Sequence, residues 1–126
     1  MQSLTPILLV DAIEPCLDFW MRLGFEVMVQ VPEGDAIGFV ILKNGSVEVM
    51  YQTRASVAKD IPSMTEFPSS SILYIHVTNL DEIISVVSGA PVLISKRTTF
   101  YGATEYAVRE PGGSVVSFSE VSAHAG

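Results

Sequence analysis

The stretch from Thr104 to Glu120, TEYAVREPGGSVVSFSE, limits the folds open to this chain more than any other segment. Tyr106 and Val108 alternate with Ala107 and Arg109. Beyond Glu110-Pro111-Gly112-Gly113, Val116 and Phe118 alternate with Ser117 and Ser119. A period of two marks a strand with two unlike faces. Proline presets φ for a turn and glycine accepts φ > 0, so the residues between the two runs predict a hairpin with a physical reason behind it.

The elements before the hairpin fall into two similar series. A strand is predicted from about Thr5 to Asp11. A helix follows from about Ile13 to Leu23, with Ile13, Leu17, Trp20 and Met21 at helical spacing and Gly24 at its C-terminal cap. Phe25 to Val31 reads as a strand, Pro32-Glu33-Gly34-Asp35 as a turn, and Ile37 to Leu42 as a third strand. Asn44-Gly45 is a two-residue hairpin signal leading into a strand from Ser46 to Tyr51. The sequence then loses periodicity over residues 52–70, a connector with a short helix expected near Ala55 to Lys59. A strand from Ile72 to Thr78, Asn79 as a cap, a helix through Ile83, Ile84 and Val87 ended by Gly89, and a strand from Val92 to Ser95 lead to the hairpin. Two rounds of β-α-β-β-β result: residues 4–51 as a first module and 71–121 as a second, with 122–126 as a frayed tail.

With 126 residues, 48% of them hydrophobic and 17% charged, the chain is read as one globular domain with a core of its own. Nothing approaches the roughly 20 apolar residues of a membrane-spanning helix. The start, MQSLTPILLVDAIEP, has no basic n-region, so neither a signal peptide nor a membrane partner is expected. Cys16 is the single cysteine, which excludes an internal disulfide and fits a cytoplasmic location and a buried helix face. The net charge of −7 argues against nucleic acid, because phosphate neutralisation needs clustered Lys and Arg. Lys96 and Arg97 are the only basic pair, and a solvated turn accounts for them.

An acidic residue, Pro, x, Gly and a final alternating strand, here Glu110-Pro111-Gly112-Gly113 and the run after it, resembles the motif that closes the second half of vicinal-oxygen-chelate proteins. These comprise glyoxalases, extradiol dioxygenases and bleomycin-resistance proteins. Tyr101-Gly102 and Glu105-Tyr106-Ala107-Val108-Arg109 are most similar to the bleomycin-resistance branch, and the resemblance spans about Thr5 to Val121. It implies an α+β fold of paired βαβββ modules, forming a curled mixed sheet around a cavity, and a homodimer.

Metal-dependent members of that superfamily hold a divalent ion through His and Glu on the first and last strands of each module. The resemblance puts Thr5 and Ile72 where the histidines would stand and Ser117 at the last-strand glutamate. Only Glu48 matches a ligand position. Three or four converging N or O donors are needed, so no metal and no other cofactor is expected. Strand parity places Glu48 and Met50 opposite Val47 and Val49, and Tyr74 and His76 opposite Leu73, Ile75 and Val77. Glu48, Tyr74, His76 and Ser117, with Tyr101 at the cavity mouth, form the candidate ligand-binding set. Phe19 and Trp20 are assigned to the core, Glu105 and Arg109 to solvent or ion pairing, and His124 to the tail. The reading reached is metal-free binding of a small organic molecule, with antibiotic sequestration as the model. The alternatives are a glyoxalase-type lyase, isomerase or dioxygenase with an altered ligand set, and a dimeric interaction module without a small ligand.

Overall fold

The computed structural model describes residues 2–63, 71–100 and 102–121. The chain divides into two compact units, Met1–Ser69 and Ser70–Gly126. Each holds a mixed four-stranded sheet, and the two sheets are hydrogen-bonded separately, not closed into a barrel.

In the first unit, β1 (Ile7–Val10) leads to α1 (Glu14–Arg22), then β2 (Glu26–Glu33), β3 (Ala36–Asn44) and β4 (Val47–Thr53), with α2 (Arg54–Asp60) after them. The sheet order is β1-β4-β3-β2, with β1 parallel to β4 and the other pairs antiparallel. The apolar stripe of α1 is Ile13, Cys16, Phe19 and Trp20. Met21, expected within it, is exposed. These side chains share the core with Leu8, Val10, Val40, Leu42, Val49 and Tyr51, the alternate residues of three strands. Trp20 meets Phe19 and Phe25 edge-on, with ring centroids 5.3 and 5.0 Å away.

Three local differences from the sequence reading have simple causes. Pro32 and Glu33 belong to β2 and not to a turn. As β2 is an edge strand, a residue without an N–H leaves its ladder intact. The β3–β4 turn consists of Gly45 and Ser46, one residue later than Asn44-Gly45, because Asn44 still pairs with Val47 and the positive φ falls on Gly45. Gly38 is the extra residue of a bulge, since Val31 pairs with Phe39 and Pro32 with Ile37. A Cβ at Gly38 would lie 2.6 Å from the Glu33 Cβ.

The connector begins with α2 over the expected short helix, capped by Thr53, whose Oγ1 accepts from the Ser56 N–H at 3.1 Å. Residues 64–70 lie outside the described ones, as does the tail at 122–126 with His124.

The second unit runs β5 (Ile72–His76), α3 (Leu80–Val86), β6 (Val92–Thr98), β7 (Ala103–Arg109) and β8 (Val115–Val121), in sheet order β5-β8-β7-β6. Val108, Val116 and Phe118 are buried together with Leu80 of α3 and Val87. Asn79 stands at the N-terminus of α3 but makes no side-chain cap there. Its amide binds Glu82, and Glu120 of β8 instead accepts from the Leu80 N–H at 2.7 Å. Strand β6 extends to Thr98, so Lys96 and Arg97 sit on a strand and not in a solvated turn. Lys96 pairs with Asp81 at 2.8 Å, and that bond holds its ammonium above the usual lysine range.

The β7–β8 turn is organised by Glu110. Its buried carboxylate accepts from the Gly112 N–H at 2.7 Å and the Ser114 N–H at 2.6 Å, and Gly113 takes φ 98°. Arg109 donates to the Gly113 carbonyl at 3.0 Å.

Candidate functional site

Register decides which side chains of the second sheet share a face. Tyr74 pairs with Ser117 and His76 with Ser119 across β5–β8. Ser119 in turn pairs with Glu105, and Ser117 with Ala107, across β7–β8. Arg97 of β6 pairs with Glu105. Paired residues point to the same side of a sheet, so Tyr74, His76, Ser117, Ser119, Glu105 and Arg97 lie on one face. Val116, Phe118 and Val108 belong to the other face, which faces the core.

Glu105 is the centre of this polar group. It is 4% exposed. The Tyr74 hydroxyl donates to its Oε2 at 2.5 Å, and Arg97 donates to its Oε1 through Nε at 3.4 Å and Nη2 at 3.3 Å. The first contact is short, whereas the Arg97 contacts are long for an ion pair. His76 stands edge-on to the Tyr74 ring with centroids 5.2 Å apart, both rings being exposed. Ala103, Ala107, Ser117 and Ser119 are small, buried residues between the larger side chains. Ser119 Oγ has no hydrogen-bond partner among the described residues. A pocket of about 330 Å³ opens at the end of β5 and β8, lined by His76, Val77, Thr78, Ser119, Glu120 and Val121.

The sequence-derived candidates are therefore distributed as follows. Tyr74, His76 and Ser117 share the face just described. Glu48 belongs to the first unit, where it is half-buried on the side of β4 opposite Val49 and Tyr51 and accepts from the Thr5 hydroxyl at 3.1 Å. Tyr101 lies outside the described residues. Sequence reasoning puts Ser119 on the face of Ser117 without adding it to the candidate set, and it misses Glu105. The sequence assigns Glu105 to solvent or pairing; it is paired, and it is buried. Its pleat offered a signal: it shares parity with Ala103 and Ala107, small side chains that leave a carboxylate low on the sheet.

No protein-family model matches the sequence, and no curated protein does. Solved structures do match, along nearly the whole chain. A glyoxalase/bleomycin resistance protein/dioxygenase family enzyme from Burkholderia phytofirmans PsJN superposes with a TM-score of 0.76 at 16% identity, over 94% of this chain and 97% of that one. TioX from Micromonospora sp. ML1 gives 0.74 at 18% identity, over 95% and 98%. A bleomycin-binding protein complexed with bleomycin gives 0.63 at 21% identity, over 97% and 100%. The chain has the glyoxalase/bleomycin-resistance fold.

At the positions where the resemblance would put metal ligands, the structure shows the following side chains. The Thr5 hydroxyl is spent on Glu48, Ile72 presents hydrocarbon, and Ser117 sits between Tyr74 and Ala107. Among the described residues no three His, Cys, Asp or Glu side chains come together. Among those residues, too, no helix is long and apolar enough to cross a membrane.

Proposed function

We propose that the protein binds a small organic molecule without a metal ion, in the manner of a sequestering protein. The observation that carries this reading is the polar group on the face of the second sheet opposite Val108, Val116 and Phe118, with an exposed aromatic pair beside it and a buried hydroxyl within it that has no partner among the described residues. Binding sites combine apolar walls with a few placed polar groups, and Tyr74, His76, Ser117, Ser119 and Glu105 have that composition. Glu48 supplies a further carboxylate and Tyr101 a further ring. The bleomycin-binding protein of the same fold lends support, as does a donor set with a single carboxylate at the metal positions. The protein acts as a homodimer in this reading, in a reducing compartment consistent with its lone buried cysteine.

Native mass spectrometry of freshly purified protein, with a bleomycin titration by calorimetry, tests the proposal. The expected result is a dimer mass, no bound transition metal, and either a co-purified organic ligand or saturable bleomycin binding. A stoichiometric metal ion lost on Glu48→Ala would overturn the reading in favour of metal-dependent catalysis. A metal-free protein that retains no ligand and ignores bleomycin would favour an interaction module.

A further inference from the structure

Ser119 and Glu105 are register partners on adjacent strands, and both are buried. One member of this pair calls for a ligand, and the other supplies a charge for it. A buried hydroxyl without a partner is costly, and native proteins leave few such groups. Next to it stands the Glu105 carboxylate, which accepts from Tyr74 and, at 3.3–3.4 Å, from Arg97. Arg97 is the outer member of that pair, its side chain 59% exposed against 5% for Glu105. The rings of Tyr74 and His76 flank the same face, and the pocket at the end of β5 and β8 includes both His76 and Ser119.

We propose that the Glu105–Ser119 pair is the recognition point for the ammonium group of an aromatic or otherwise apolar amine, with Arg97 as a built-in competitor for the same carboxylate. This rests on the binding function proposed above and names its ligand class. The ammonium donates to Glu105 Oε1 and to Ser119 Oγ, which turns about its one side-chain torsion to meet it. The apolar body lies against the Tyr74 and His76 rings, where a cation also gains from the ring faces. Glu120, in the wall of the pocket, adds to the negative potential, and a chain of net charge −7 disfavours an anionic ligand throughout. Arg97 swings outward when the amine arrives. Its own exposure makes that movement inexpensive.

Benzylamine, benzyl alcohol and benzoate provide probes of one shape and three charges, to be titrated into the full chain by NMR with calorimetry. Benzylamine is expected to bind at least about tenfold more tightly than benzyl alcohol, and benzoate not at all, with shifts centred on His76, Ser119 and Glu105. Ser119→Ala should weaken benzylamine about tenfold while raising the Tm of the ligand-free protein, because it removes an unsatisfied buried group. Arg97→Met should tighten benzylamine severalfold. A merely structural ion pair would have the opposite or no effect on binding. Equal binding of the amine and the alcohol, or unchanged affinity in both variants, overturns the proposal. If bleomycin or a co-purified ligand still binds in that case, the general binding function stands and only the amine assignment falls.

Discussion

The Tyr74 hydroxyl donates to the buried carboxylate of Glu105 across 31 positions of sequence, joining β5 to β7 over the intervening β8. A buried carboxylate deprived of a donor keeps its desolvation cost. Tyr74→Phe, which deletes one oxygen and little else, should therefore lower the unfolding free energy by about 1–3 kcal/mol. Urea denaturation of the two proteins measures it. An unchanged midpoint would mean that solvent or a neighbour replaces the hydroxyl at no cost.

A second long-range bond, from the Trp20 indole N–H to the Tyr51 hydroxyl at 2.8 Å, lies wholly within the core of the first unit. Tyr51→Phe removes the acceptor and leaves a buried donor behind, for an expected loss of about 1–3 kcal/mol. Trp20 is the chain's single tryptophan, so its fluorescence reports on this site without interference. A shift in its emission should accompany the loss.

The Glu110 turn predicts a graded response. Glu110→Ala strips two backbone N–H groups of their acceptor and should cost about 2–3 kcal/mol, a figure suited to bonds with a charged partner. Glu110→Gln retains one oxygen and should cost less. Hydrogen exchange at Gly112 and Ser114 would show the change locally. Equal stability of all three proteins would remove Glu110 from the account of the hairpin.

Glu14 gives the pH dependence a definite sign. Its carboxylate accepts from the Ile37 N–H at 2.8 Å, and this bond above all holds its pKa below the ordinary value of 4.5. A group depressed in the folded state binds fewer protons there than in the unfolded chain. Its contribution is thus complete above about pH 4.5 and fades as pH falls through the lower, folded value. Glu14→Gln should flatten this part of the acid-unfolding profile while leaving the neutral-pH fold unchanged. A variant with the same acid limb as the parent would assign that limb to other carboxylates.

Much of the architecture was legible because alternation and turn chemistry are local. The runs around Glu110-Pro111-Gly112-Gly113 and the helical spacing of Ile13, Leu17, Trp20 and Met21 need no distant partner to be recognised, although Met21 proves exposed. What escaped depends on residues far apart in sequence. Asn79 has the chemistry of a cap, yet Glu120, 40 positions after Leu80, takes the Leu80 N–H. Strand β6 outran its apolar residues because pairing with β7 carries it through Lys96 and Arg97 to Thr98. Tyr74 and His76 could be placed on one face by parity alone. Glu105 joins them only because β8 pairs with β7 on one side and β5 on the other, which sets both Glu105 and His76 opposite Ser119, and no local pattern specifies the β5–β8 register.

The position of β8 has a consequence for how the protein is made. It is the last strand in the sequence, yet it lies inside its sheet, between β5 and β7. Synthesis runs from the N-terminus, so β5 must wait for Val115–Val121 to emerge before it finds its only partner in that sheet order. Until then Tyr74 and His76 ride on a strand with open hydrogen-bonding groups, the kind of exposure that invites wrong pairings. The first unit, whose central β4 ends at Thr53, can assemble its sheet much earlier. The face that carries Glu105 and Ser119 thus comes into being in a single late event, with the arrival of the final strand.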